Sequence, residues 1–310
     1  MHYVRVVRKP STIANAPIVE GTKQGKMRHS RINVVDETSK SKLNVGCSHY
    51  DANYSNFQTS LYEQVRRDAF GEDIGQNSWL TATELDTFRK WLDLSPGKSL
   101  LDVACGAGGP AVRIAATTGA SVIGIDVHEQ AIAAGNALAA ERGLSKVAAF
   151  RVVDAAQRLP FPDSTFNAIT CIDAINHLSD RPRVITEWVR LLKPGGRLLF
   201  TDPIIVNGPL TNAEIAVRSS AGFYLFVPPG YDEHVVVQCG LRVVVSENVT
   251  QNMAEIADRR RAARESHAQA LRKIEGNQAY ATQQEYLTVA CRLAKEGRLS
   301  RFVFVAEKPN

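Results

Sequence analysis

The period of the hydrophobic positions changes along this chain, and the changes mark its elements. Residues 47–98 carry helical spacing, with Leu61 and Val65 in one stretch and a second over residues 82–92, closed by Pro96-Gly97. Leu100, Leu101 and Val103 then form a short apolar run that predicts a buried strand, followed by the glycines Gly106, Gly108 and Gly109. Residues 111–118 begin a helix, and residues 121–125 form a second strand that ends on Asp126. An alanine-rich helix is predicted over 128–142 with its stop at Gly143, a third strand over 150–153, a fourth within 159–178 and a helix over 181–193 stopped by Pro194-Gly195-Gly196. A fifth strand follows within 191–202. Strand and helix alternate from 99 to 202, which implies a parallel sheet covered by helices on both faces. Beyond it, residues 241–249 read as a sixth strand, 251–275 and 279–297 as two helices, and 301–307 as a last strand.

The first strand, glycine turn, helix and second strand form one unit suited to a nucleoside. Unpaired N–H groups at the helix start face a ligand, and Asp126 ends the second strand where a carboxylate accepts both hydroxyls of a ribose. It lies 24 positions after Asp102, close to the separation such a unit needs. The glycines do not follow the G-x-G-x-x-G spacing that seats a pyrophosphate. They read D-x-A-C-G-x-G instead, through Asp102, Ala104, Cys105, Gly106 and Gly108.

That arrangement resembles motif I of the class I S-adenosylmethionine-dependent methyltransferases, in their small-molecule, UbiE-like (methyltransferase type 11) branch. Ala104 replaces the usual first glycine, a mild exchange provided that φ is negative there. The resemblance continues in order through Asp154 and Ala155 after the third strand, through LPFPDSTFNAITCIDAINHL at 159–178 and through LLKPGGRLLFTD at 191–202. It implies a Rossmann-like, seven-stranded, mostly parallel sheet with helices on both faces, an antiparallel last strand and a helical substrate lid. It also implies S-adenosylmethionine as cofactor and S-adenosylhomocysteine as product, held by Ser78, Asp102, Ala104, Cys105, Gly106, Gly108, Asp126, Val127, Asp154, Ala155 and Cys171. Within this set Asp126 takes the ribose, Asp154 the adenine amino group and Ser78, 26 residues before Ala104, the cofactor's carboxylate. A nicotinamide or nucleotide Rossmann domain is the rival at the level of fold.

Methyl transfer from a sulfonium is an in-line displacement, so a protein must align the acceptor, exclude water and, where needed, remove a proton; no metal is required. If a helical turn starts near Asp173, Asp173 and His177 share one face. Their D-A-x-x-H pattern resembles phosphoethanolamine and sarcosine/dimethylglycine N-methyltransferases, which implies that the aspartate faces a cationic amine and the histidine orients the acceptor or takes its proton. Packing of the histidine and capping by the aspartate are the structural alternative. The segments 50–54 and 70–78 resemble the same branch's N-terminal lid, where a tyrosine closes over the cofactor; Tyr54 is chosen over Tyr50. The acceptor is therefore expected to be a small molecule, first an amine. The rivals are an O- or C-methyltransferase of an aromatic or natural product, suited by the aromatic and proline cluster at 209–232, and a non-catalytic cofactor-binding partner subunit.

Charge and cysteines change this picture little. The net charge of +5 is concentrated in residues 1–46, where nine Lys or Arg face three acids; the remaining residues hold 28 against 29. The body thus lacks a footprint for phosphate backbones. Residues 171–174 also lack the N/D-P-P-Y/F motif of base and glutamine methyltransferases, so no nucleic-acid partner is expected. Residues 1–46 read as a basic, disordered extension, with an organelle-targeting peptide, an arm on a partner subunit or a leader as alternatives, and residues 47–310 as the methyltransferase domain: a lid at 47–98, a cofactor-binding core at 99–202 and a substrate side at 203–310. No run reaches the length of a membrane span, so a cytoplasmic protein is expected, with homo-oligomerisation left open. Five scattered cysteines suggest neither disulfides nor zinc, and Cys105 and Cys171 read as packing residues. Arg259, Arg260, Arg261 and Arg264 read as a solvated helix face rather than an anion site.

Overall fold

The computed structural model describes residue 50 and residues 53–310. The extension expected at 1–46 and its boundary with the domain lie outside these residues.

Seven strands, β1 (Ser99–Val103), β2 (Ser121–Asp126), β3 (Ala148–Val152), β4 (Phe166–Cys171), β5 (Leu192–Val206), β6 (Arg242–Asn248) and β7 (Leu299–Glu307), form one sheet in the order β3-β2-β1-β4-β5-β7-β6. The first five pair in parallel, and β7 runs antiparallel between β5 and β6. The chain builds outward from β1 to β3, then returns to place β4 on the other side of β1. This switch point opens a crevice at the carboxyl ends of β1 and β4, where ligands bind in open α/β sheets.

Successive strand residues feed opposite layers, as a period of two requires. Leu101, Val103, Ile169 and Phe200 pack with Val184, Ile185 and Trp188 of α5 (Arg181–Leu191). Leu100, Ala168 and Leu199 pack on the other face with Leu85 and Phe88 of α2 (Ala82–Trp91), Ala111 and Ile114 of α3 (Gly109–Thr118), and Ile132 and Ala139 of α4 (Glu129–Glu141). A third cluster joins Ala69 and Phe70 of α1 (Ser60–Phe70), Met253, Ile256 and Ala257 of α8 (Thr250–Ser266), and Leu287, Ala290 and Ala294 of α10 (Asn277–Lys295). Two shorter helices, α6 (Asn212–Arg218) and α7 (Tyr231–Gln238), lie between β5 and β6 in sequence, with α9 (Ala268–Glu275) between α8 and α10.

Local signals set most boundaries. Thr81 caps α2 by accepting from Glu84 N–H, and Thr211 with Glu214 forms a reciprocal capping box on α6. Three expectations shift. The helix expected over 181–193 ends at Leu191, because Leu192 already pairs with Phe166 and draws Pro194-Gly195-Gly196 into β5. The third strand is Ala148–Val152, two residues earlier at its start than the apolar run suggested. The helix expected over 251–275 breaks at His267, which leaves helical dihedrals while its Nε2 meets Asp68 of α1 at 2.8 Å. No glycine or proline announces that break.

Candidate active site

Glycine conformation brings the β1–α3 loop close to its neighbours. Gly106 and Gly108 have φ of 55° and 75°, and a Cβ on Gly109 would fall 1.9 Å from the Ile74 carbonyl oxygen. The segment leading to Ser78 is thereby seated directly on the start of α3. Ala104 also has a positive φ, 53°, so the condition under which its exchange for glycine would be mild is not met; the loop holds an alanine in a region that favours glycine.

Asp126, at the end of β2, accepts from Gly106 N–H at 2.9 Å and from His128 N–H at 3.0 Å. These bonds fix the carboxylate and leave lone pairs on both oxygens for a diol. Val127 beside it is 48% exposed, an apolar surface at the strand end that fits the face of a base. Asp154 is exposed and accepts from Ala156 N–H at 2.8 Å, and Ala155 is buried behind it. Asp102 accepts from the Thr170 hydroxyl at 2.7 Å, and burial, followed by the nearby Asp126 charge, pushes its carboxyl up to about 7. The Cys105 and Cys171 thiols are pushed well up, first by burial, which agrees with packing; Cys171 is wholly buried, so only its main chain could meet a ligand. A fixed acid for the ribose, an exposed apolar residue for the base and a glycine cradle together fit S-adenosylmethionine.

Tyr54, expected as the closing tyrosine, lies over this loop. Its hydroxyl is 2.7 Å from where a Cβ of Gly106 would be, and its ring meets His128 at 5.6 Å between centroids. Tyr50, the tyrosine passed over, stands instead beyond the carboxyl end of β4, where its hydroxyl meets His177 Nε2 at 3.3 Å. A cavity of about 520 Å3 including its mouth lies there, lined by Tyr50, Ser78, Asp173, Asn176, His177 and the rings of Trp79, Tyr224 and Tyr286.

The structure therefore brings Asp173, His177 and Ser78 together, though not by the expected turn. The helical turn is a 3₁₀ segment, Ile175–His177, and Asp173 before it has φ of 53°. Thr201 clips that conformation, its hydroxyl accepting from Asp173 N–H and donating to Asp173 Oδ1, both at 2.7 Å. Oδ1 also accepts from Arg301 Nε at 2.7 Å, and Oδ2 accepts from Trp79 N–H at 2.9 Å. The expected picture of Asp173 as a carboxylate facing an amine is thus altered, because its charge is already paired with a fully buried arginine. Nothing in the local sequence pointed to Arg301, 128 residues away in the chain.

His177 Nδ1 lies 3.0 Å from the Phe223 carbonyl. A carbonyl only accepts, so Nδ1 carries the hydrogen and Nε2 presents a lone pair towards Tyr50 and the cavity. Burial lowers the imidazole to about 4 and raises the Tyr50 phenol to about 12, so at neutral pH the pair is a neutral histidine and a protonated tyrosine. The aromatic cluster expected as a pocket wall contributes Tyr224, whose ring meets His177 at 4.6 Å.

The arginine run of α8 is not the uniformly solvated face its charges suggested. Arg261 does pair at the surface with Asp258 and Glu265. Arg264, however, is buried against Glu275 at 2.6 Å, and Arg260 turns inward to line the cavity, because a helix carrying four arginines within six residues must present some of them to its packed side.

Residues 101–200 match the model of a methyltransferase domain. The chain is 28% identical to the 27-O-demethylrifamycin SV methyltransferase of Amycolatopsis mediterranei, across 84% of this chain and 96% of that one. The crystal structure of the [4+2]-cyclase SpnF matches with a TM-score of 0.67 at 25% identity, over 84% of this chain and 97% of that one. Phosphoethanolamine N-methyltransferase 2 of Haemonchus contortus, solved with phosphomonomethylethanolamine and S-adenosylhomocysteine, matches with a TM-score of 0.71 at 20% identity, over 84% of this chain and 60% of that one, a likeness of fold. No helix among the described residues is long and apolar enough to cross a membrane. With motif I, the glycine cradle and the strand order all in place, residues 101–200 carry a methyltransferase domain of the S-adenosylmethionine-dependent type.

Proposed function

We propose that this protein methylates a hydroxyl group of a small molecule, with His177 as the base that takes the hydroxyl proton. The observation that carries this reading is the orientation of His177: its Nδ1–H is spent on the Phe223 carbonyl, and its Nε2 lone pair opens on the cavity within reach of Tyr50. S-adenosylmethionine supplies, when bound, a methyl group already activated on a sulfonium. An acceptor hydroxyl that took the place of the Tyr50 hydroxyl at Nε2 would donate its proton to His177 as it took up that methyl group. Trp79, Tyr224 and Tyr286 wall the cavity with rings, and Ser78, Gly106, Gly108, Asp126, Val127, Asp154 and Ala155 hold the cofactor.

Two further facts support oxygen over nitrogen. The Asp173 oxygens are already engaged by Arg301, Thr201 and Trp79 N–H, so a cationic amine would have to compete for them, and the Amycolatopsis relative is named for an acceptor lacking an O-methyl. An amine acceptor is the second reading, favoured by the Asp173 and His177 pair on one cavity wall. S-adenosylhomocysteine release across matched phenols, aliphatic alcohols and amines separates the two. Turnover confined to hydroxyl compounds and lost in His177→Gln supports the proposal; turnover confined to amines refutes it.

A further inference from the structure

One arginine that lines the cavity and one behind its rings lack a carboxylate partner among the described residues. Arg218, the last residue of α6, is 0% exposed, and none of its three guanidinium nitrogens finds a hydrogen-bond partner among the described residues. Its neighbours are rings: the guanidinium carbon lies 4.4 Å from the centre of Tyr286 and 5.9 Å from Trp79. The nearest acid along its own helix, Glu214, is taken by Arg298 and Arg292 at 2.6 and 2.9 Å. Arg260 approaches the same rings, its guanidinium carbon 5.3 Å from the centre of Trp79. It donates only to the Ser78 carbonyl, at 3.4 Å, and has no carboxylate partner among the described residues. The cavity's own carboxylate, Asp173, is committed to Arg301.

Ring contacts do not offset the desolvation of the fully buried Arg218, and Arg260 stands half-buried on the cavity wall beside it. A buried charge is retained where something pairs it, and cation–π contact recovers only part of that loss. A third group points the same way: Asn176 lines the cavity, is 1% exposed, and has neither its amide nitrogen nor its amide oxygen hydrogen-bonded among the described residues. Such an orphaned amide is costly unless a ligand completes it.

We infer that the acceptor carries an anionic group, a carboxylate or a phosphate monoester, which sits on Arg260 in the field of Arg218 while Asn176 hydrogen-bonds the same molecule. The proposal deepens the hydroxyl reading by fixing the opposite end of the acceptor: anion at the arginines, hydroxyl at His177.

Calorimetric titration of the S-adenosylhomocysteine complex with benzoate, phenyl phosphate and neutral benzamide tests this without any methylatable hydroxyl in the probe, so a failed methylation screen and a failed anion site remain distinct results. Either anion should bind at least about tenfold more tightly than benzamide, the size of one charge-assisted pair. The tighter of the two identifies carboxylate or phosphate. Arg260→Gln and Arg218→Met should each abolish that preference, leave benzamide binding unchanged and spare affinity for S-adenosylhomocysteine; Arg218→Lys retains the charge should Arg218→Met fail to fold, and should keep the preference. Equal binding of all three probes to the unaltered protein overturns the proposal. So does an Arg260→Gln variant that keeps the anion preference but loses affinity for S-adenosylhomocysteine, since Arg260 would then hold the cofactor's carboxylate.

Discussion

Replacing Arg301 with methionine tests the account of how Asp173 is held. Arg301 is fully buried, with Nε 2.7 Å from Asp173 Oδ1 and Nη1 2.7 Å from Glu84 Oε1. At charge separations near 4 Å and an effective dielectric of about 20, each attraction is worth about 4 kcal/mol before desolvation is counted. Most of that only offsets the burial of the ions, but removing one partner leaves the others uncompensated, at a cost of about 3–5 kcal/mol. In a domain of this size 1 kcal/mol shifts Tm by about 2–4 °C, so Arg301→Met should lower Tm by roughly 6–20 °C at pH 7.5. The pH dependence gives a second readout. Burial holds the Glu84 carboxyl above its usual range, against the lowering effect of Arg301, and without Arg301 it must rise further. A carboxyl raised on folding contributes stability below its unfolded pKa and loses it as pH rises through the folded value. The deficit of the variant should therefore shrink as pH falls from 7.5 towards 5, and adding Glu84→Gln should recover part of it at pH 7.5. Thermal denaturation followed by circular dichroism at several pH values measures both effects. A Tm within about 2 °C of the unaltered protein, or a deficit that grows on acidification, would refute the reasoning.

Three other outcomes follow from the site. Asp126→Ala removes the fixed carboxylate proposed to take the ribose hydroxyls and should weaken S-adenosylhomocysteine binding by at least about tenfold, read by titration, since hydrogen bonds to a charged group contribute about 1.5–3 kcal/mol; unchanged affinity would remove Asp126 from the cofactor site. His177 takes a proton only when neutral, so activity through it should be present above a pKa of about 4 and lost as pH falls through that value; the initial rate, corrected for ionisation of the acceptor, should be flat from pH 6 to 8, and an inflection near 6.5 that disappears in His177→Gln would contradict the buried, neutral imidazole. Ala104→Gly relieves a left-handed alanine and should raise stability by about 1 kcal/mol in denaturant titration, whereas a loss of stability would mean that the loop does not carry this strain.

The sequence determined the unit from β1 to β2 with its glycine turn and left the surroundings of the cavity beside it to the fold. Strand runs, the glycine turn and the acid after β2 are neighbours along the chain, and a β-α-β unit has essentially one way to fold, so Asp102, Gly106, Gly108 and Asp126 could be placed from spacing alone. The carboxyl end of β4 was legible for the same reason, and with it the presence of Asp173 and His177 on one wall, though not the 3₁₀ turn that places them there. What surrounds them was not. Arg301 comes from β7, Thr201 from β5, Tyr50 from the segment before α1, the Phe223 carbonyl from the stretch after α6, and Arg260 from α8, so their meeting depends on helix packing that no local period encodes. Charge was the least legible property of all. An arginine run looks solvated and an aspartate beside a histidine looks ready for an amine, until tertiary structure shows which ions already have partners; here it paired Asp173 and left Arg218 and Arg260 without a carboxylate among the described residues, because an ion's environment is set by whichever distant segments close around it.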